Sequence, residues 1–184
     1  MADEYIDILN DDGSDTGKIA LKSEAHKKGL YHRSAHLWLY TSTGKVLVQQ
    51  RAINKDTFPG LWDISVAGHI SSGETASSAI LREAKEEIGI SLRKTDLQFL
   101  KIRLSEKKPN PDIIDNEYQY LFLARIDEGT KLVLQSEEVI QTKYLYIEDL
   151  KKLVVSNSSK DFVPHGNRYY CYILENITTN LKSS

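Results

Sequence analysis

Cys171 is the only cysteine in the chain, so no intrachain disulfide can form. Charge of either sign is not in excess: 24 basic against 26 acidic side chains give a formal net charge of -2. That removes the electrostatic drive toward nucleic acid or an anionic membrane, both of which reward a basic surface. No apolar run approaches the length of a membrane span. The acidic start, Met1-Ala2-Asp3-Glu4, has none of the basic-then-apolar order of a signal peptide, and the cytoplasm is the expected location. Internal repeats, long linkers and low-complexity tracts are missing too. What is left is a globular composition, 40% hydrophobic and 27% charged over 184 residues, expected to fold as one domain with a full core.

The informative stretch is Gly68-His69-Ile70-Ser71-Ser72-Gly73-Glu74 with Arg82-Glu83-Ala84-Lys85-Glu86-Glu87-Ile88-Gly89-Ile90 after it. On a helix, Glu83 and Glu87 share a face at i, i+4, and Glu86 flanks them. Three like charges on one patch repel, and a hard divalent cation with oxygen ligands offsets that repulsion. Ala76, Ile80, Ala84 and Ile88 fall on another side and can face a core. The helix therefore has one stripe for packing and one for metal.

This segment resembles the signature of the Nudix hydrolases. Gly68, Glu74, Arg82, Glu83, Glu86, Glu87, Gly89 and Ile90 match it in residue and spacing, and Ala84 departs from it where a larger aliphatic is usual. The resemblance implies an α/β fold, an α/β/α sandwich with a mixed sheet and a loop-helix-loop metal site. It implies Mg²⁺ or Mn²⁺ held by Gly68, Glu83, Glu86 and Glu87, with Glu74, Arg82 and Gly89 structural. The catalytic base is sought among Glu86, Glu83 and Glu117. The expected partner is a small-molecule diphosphate, a nucleoside diphosphate linked to another moiety, with Arg51 and Lys55 as substrate contacts. No nucleic acid and no membrane is expected; the resemblance allows a homodimer, which no sequence feature demands.

A closer resemblance extends over residues 5 to 155. His32, Trp38, Gln49-Gln50-Arg51-Ala52, Lys55, Phe58-Pro59-Gly60-Leu61-Trp62 and Gly68-His69 are similar to the type I isopentenyl-diphosphate isomerases, which share the Nudix fold. In that subgroup three histidines and two acids hold metal, and His26, His32, His69, Asp115 and Glu117 fall on those positions. His32, His69 and Glu117 are the expected second metal group. The isomerase also needs a cysteine just before Gly-His, and Ala67 stands there. The expectation is a hydrolase on an isomerase-like chassis. An isomerase and a non-catalytic diphosphate-binding module are the alternatives.

Alternation and turn residues place strands at Tyr5–Leu9, 18–21, 35–40, 46–50, 61–67, 97–104, 118–126 and 142–147. Thr41-Ser42-Thr43-Gly44 reads as a hairpin turn. Residues 105–117 read as a polar loop around Lys107-Lys108-Pro109-Asn110-Pro111, 148–155 as a short helix, 156–160 as a loop and 168–181 as a closing helix. The organisation expected is a strand extension over 1–30, a core over 31–155, and a C-terminal loop and helix over 156–184. His36 and His165 read as structural histidines.

Overall fold

The computed structural model describes residues 3–156 and 160–183. Most of the loop expected at 156–160 lies outside the described residues. The N-terminal unit is an antiparallel hairpin of Tyr5–Leu9 (β1) and Asp15–Leu21 (β2), followed by helix Lys22–Lys28 (α1). Its own small core is Ile6, Ile8 and Ala25.

The main sheet has seven strands. They are His32–Tyr40 (β3), Lys45–Arg51 (β4), Trp62–Asp63 (β5), Val66–His69 (β6), Gln98–Asn110 (β7), Ile113–Arg125 (β8) and Val139–Tyr146 (β9). The order is β5-β4-β3-β8-β7, with β6 beside β3 and β9 beside β4. β3 and β8 run parallel and the other pairs antiparallel, so the sheet is mixed, as expected.

Helix Ala76–Ile88 (α2) packs on one face over Ala35, Leu37, Leu39 and Leu47. Helices Ile147–Lys151 (α3) and Asn167–Lys182 (α4) cover the other face over Trp38, Tyr40, Val46, Leu121 and Leu123. Covering both faces explains why β3, β4 and β8 carry unbroken apolar runs instead of strict alternation. The three layers make the expected α/β/α sandwich. The missing bulk at Ala84 is taken up by close packing, since its side chain is fully buried against the sheet.

Three local expectations need correction. The 61–67 segment is not one strand. It breaks at Ile64-Ser65, so that β5 pairs with β4 while β6 pairs with β3. The polar loop at 105–117 is instead the far end of a long β7–β8 hairpin, which turns only at Pro111-Asp112. Pro109 is accommodated because it sits in a register irregularity of β7, where no ladder hydrogen bond is required of it. The 148–155 helix is α-helical only to Lys151 and then widens into a π turn over Lys152–Ser156.

The β3–β4 hairpin exists only at its closed end, at the pair Tyr40 and Val46. Beyond it the strands part, and Ser65 fills the opening. Its Oγ accepts from the Leu39 amide at 2.8 Å and donates to the Leu47 carbonyl at 2.6 Å. All of this is buried, and a buried backbone group left without a partner costs about 1–3 kcal/mol. Ser65→Ala should therefore destabilise the fold by about 2 kcal/mol, measured as a shift in the urea midpoint. An unchanged midpoint would mean the two strands close on each other without the hydroxyl.

Candidate active site and metal centre

A capped helix brings the glutamates in. Thr75 caps α2, receiving the Ser78 amide at 3.2 Å, and Gly89 ends it at φ 74° in the left-handed conformation. Glu83 then lies against β6. A Cβ at position 68 would overlap the Glu83 carboxylate, so glycine is required there by space and not by backbone angle. Arg82 ties the assembly together. Its guanidinium reaches Glu74 at 3.0 Å, Glu83 at 2.8 Å and Glu86 at 3.2 Å.

The three carboxylates of α2 differ in their surroundings. Glu86 is 53% exposed in its side chain, whereas Glu87 is buried and receives Gln49 Nε2 at 3.2 Å. Burial pushes the Glu83 acid up to about 7, against the pull of Arg82. Burial, with Glu83 alongside, pushes Glu87 up to about 8. Both shifts express the same need for positive charge at this wall.

A second cluster adjoins it. His26 on α1, His32 on β3, His69 on β6 and Asp115 on β8 point ligand atoms at one another, all within 4.8 Å. The imidazole centroids stand 5.2 Å apart in every pair. Asp115 Oδ1 lies 3.6 Å from both His26 Nε2 and His32 Nε2, and Glu117 Oε1 lies 3.8 Å from His69 Nε2. These are too long for hydrogen bonds. They suit neighbouring ligands of one ion with bonds of about 2.1 Å.

Three imidazole nitrogens and Asp115 Oδ1 are buried with no hydrogen-bond partner. Buried polar groups are almost always paired, so this orphan set fits a divalent cation. The outer nitrogens fit as well: His32 Nδ1 meets the Leu30 carbonyl at 2.9 Å, and His69 Nδ1 faces Glu4 at 3.5 Å. Burial drives His26 down to about 4 and His69 well below its ordinary value, keeping these two imidazoles in the neutral, ligating form. Burial and Glu117 raise Asp115 to about 8. Burial opposes the charge on Glu117, and His69 and His32 outweigh it, holding that acid low.

Both clusters line a single cavity of about 270 Å³. Of the expected site residues, Gly68, Glu83, Glu86, Glu87, His69 and Glu117 line it, while His32 is fully buried behind its wall. Glu74, Arg82 and Gly89 lie at the ends and flank of α2. Arg51 and Lys55 reach the cavity but are engaged within the protein. Arg51 pairs with Asp63 at 3.1 Å and bonds Thr57, and Lys55 pairs with Glu138. Trp38 is core, its Nε1 bonded to Tyr169 at 2.9 Å. Phe58 lines the cavity instead, at a positive φ of 49°.

Sequence reasoning missed Asp63, Lys107, Glu138 and His165 as parts of this cavity. For Lys107 a signal existed. Arg103, Ser105 and Lys107 alternate on one face of β7 and pair with Gln119, Glu117 and Asp115. Reading 105–117 as a loop concealed that period. His165 and Glu138 stand far from the motif in sequence, and nothing local marks them.

A family model described as NUDIX domain matches residues 30–166. Nudix hydrolase 3 of Arabidopsis thaliana is 36% identical over 170 residues, covering 90% of this chain, which spans 22% of that longer protein. An isopentenyl-diphosphate Delta-isomerase of Escherichia coli is 29% identical over 150 residues, covering 82% of this chain and 81% of its own length. Among solved structures, a protein of Deinococcus radiodurans superposes with a TM-score of 0.68 at 19% identity, covering 92% of this chain and 98% of that one, a likeness of fold. With the stretch Gly68 to Ile90 folded as strand end, loop, helix and turn inside the matched span, the chain belongs to the Nudix family, and it is also similar to the isomerases that share the fold.

Proposed function

We propose that this protein is a divalent-metal-dependent diphosphohydrolase acting on a small molecule, a nucleoside diphosphate linked to another moiety. The observation that carries the reading is the convergence of Glu83, Glu86 and Glu87 with Gly68 on one cavity, with two of those acids strongly raised by burial. A binding module has no use for three clustered, repelling carboxylates.

Gly68, Glu83, Glu86 and Glu87 would hold Mg²⁺ or Mn²⁺ through hard oxygen donors. His32, His69 and Glu117, with His26 and Asp115, would hold a second divalent ion. Bound there, such ions supply charge neutralisation for the diphosphate and acidify water. The chain's own part is to position and to move a proton. Glu86 is the preferred base over Glu83 and Glu117, because it lines the cavity with its carboxylate open to water. Water attacks one phosphorus, Glu86 takes its proton, and the bridging P–O bond breaks with the electron pair leaving on the departing phosphate. Arg82 and Glu74 are positioning residues that hold Glu83 and Glu86 to the helix.

The histidine cluster favours the isomerase as a second reading. Ala67 opposes it, since a methyl group occupies the position where the similar isomerases need a thiol and cannot donate a proton. Incubated with isopentenyl diphosphate and Mg²⁺, the protein should form no dimethylallyl diphosphate. Its appearance would move the assignment to the isomerase.

Hydrolysis of a diphosphate substrate should require a divalent ion and stop in EDTA. Glu87→Gln should lower the rate by about 10²-fold or more, as for the loss of one electrostatic stabiliser. Gly68→Ala should act similarly by displacing Glu83. Full turnover in saturating EDTA, or in either variant, would contradict the reading.

The raised acids also set a pH dependence. Glu87 titrates near 8 when folded against an ordinary value of 4.5, so the folded chain binds the extra proton between those values. In EDTA its contribution to stability is therefore lost as pH rises from about 4.5 through about 8. Metal binds the ionised acid, so Mg²⁺ should raise Tm more at about pH 8.5 than at about pH 5.5. In EDTA, Glu87→Gln should lose less stability than wild type over that range. Parallel pH profiles for the two proteins would show that Glu87 is not a raised acid.

A further inference from the structure

One wall of the cavity takes no part in the hydrolytic reading. It is built by β7, by Asp63 at the end of β5, and by the segment leading into α4. Lys107 is its cation, half-buried at the cavity edge. The Lys107 ammonium lies 3.2 Å from His165 Nδ1 and 5.6 Å from the centre of the Phe58 ring. Among the described residues, no carboxylate oxygen lies within 4.0 Å of it. An ammonium has three protons to give, and one is used.

The partner of Lys107 is held rigidly. Lysine cannot accept a hydrogen bond, so it donates to His165 Nδ1, and His165 Nε2 then carries a proton and donates to Asp63 Oδ1 at 2.7 Å. Asp63 Oδ1 also receives the Ile64 amide at 2.8 Å, and Arg51 Nη1 reaches Oδ2 at 3.1 Å. His165 is 5% and Asp63 3% exposed. Along this chain Arg51 and Asp63 cancel and His165 is neutral; Glu117 and Asp115 act on the Lys107 charge from across the strands without forming an ion pair with it. Burial and Lys107 itself hold the imidazole below its ordinary value. Arg103 adds a second cation behind it, bonded to the His165 carbonyl at 2.8 Å and stacked on Tyr169. A cation with unused donors at the wall of a cavity is suited to an anion.

We propose that Lys107, aimed by Asp63 and His165, forms an oxyanion subsite that holds a phosphoryl or carboxylate group of the substrate beyond its diphosphate. The substrate class is then a diphosphate whose other moiety is itself anionic. A neutral hydrocarbon there would strip water from the ammonium and give nothing back. The inference rests on the hydrolytic reading for where the diphosphate lies, but the subsite can be tested without turnover.

Inorganic phosphate and acetate are titrated separately into the full chain in EDTA and again in Mg²⁺. Calorimetry and the ¹⁵N shifts of the His165 imidazole are the readouts. EDTA removes any cation at the glutamates that could recruit the anion. Wild type should bind one of the two anions with a shift at His165, and the tighter one names the group. Lys107→Gln keeps a donor for His165 without the charge and should weaken binding by about tenfold or more, while Lys107→Arg should retain it. A Tm measured for each variant confirms folding. With an anionic diphosphate substrate, Lys107→Gln should raise KM by a similar factor and leave kcat within about threefold, since the lost contact is equal in ground and transition states. No binding to wild type in EDTA, or equal binding by wild type and Lys107→Gln, overturns the subsite even if hydrolysis is found. Binding that follows this pattern upholds it even if hydrolysis is not.

Discussion

Helix α2 lies so close to strand β6 that a methyl group at position 68 would overlap the Glu83 carboxylate. The site depends on that contact. It brings the glutamates of the helix to the end of β6, where His69 stands, and so joins two sets of candidate metal ligands in one cavity. Arg82 makes the contact tolerable by spanning Glu74, Glu83 and Glu86 with one guanidinium. Without that cation the helix would crowd Glu74, Glu83 and Glu86 together with no positive charge between them.

The cavity is divided by charge. The glutamates and the histidine–aspartate group form walls that call for cations: burial raises Glu83, Glu87 and Asp115 and leaves imidazole nitrogens unpartnered. Arg51 and Lys107 bring cations to another wall, with Arg103 behind it, balanced in part by Asp63, Asp115 and Glu117. Such separation costs stability, since apolar packing of equal volume is often as stable or more so. A substrate with negative charge at the diphosphate and a further anion elsewhere would meet both demands.

The same polar residues also limit the sheet. On β3, His32, Ser34 and His36 share a face with Trp38 and Tyr40. Ser34 and His36 line the cavity with His32 behind its wall, and the last two pack under α4. One strand face thus passes from polar site to apolar core within nine residues. Ser65 does related work at the other end, satisfying both backbone groups where β3 and β4 part. The parting admits β6, and with it Gly68 and His69, beside β3.

Local chemistry determined a good part of this protein. The i, i+4 spacing of Glu83 and Glu87, the cap at Thr75 and the glycine at 89 define α2 and its two stripes, because helical periodicity depends only on nearby residues. Alternation and turn residues placed most strands, and the Nudix resemblance named the sandwich. The tertiary structure alone decided where strands end and what they meet. Pro109 and Pro111 look like loop residues, yet β7 runs past the first because it is an edge strand with a register irregularity. Leu61 to Ala67 looks like one strand and is shared between two partners. Asp63, Lys107 and His165 lie far apart in the chain, and their hydrogen-bonded line arises only when β5, β7 and the segment before α4 close around one cavity. Side-chain pairing across such separations depends on backbone placement set by the whole core, and no window of sequence contains it.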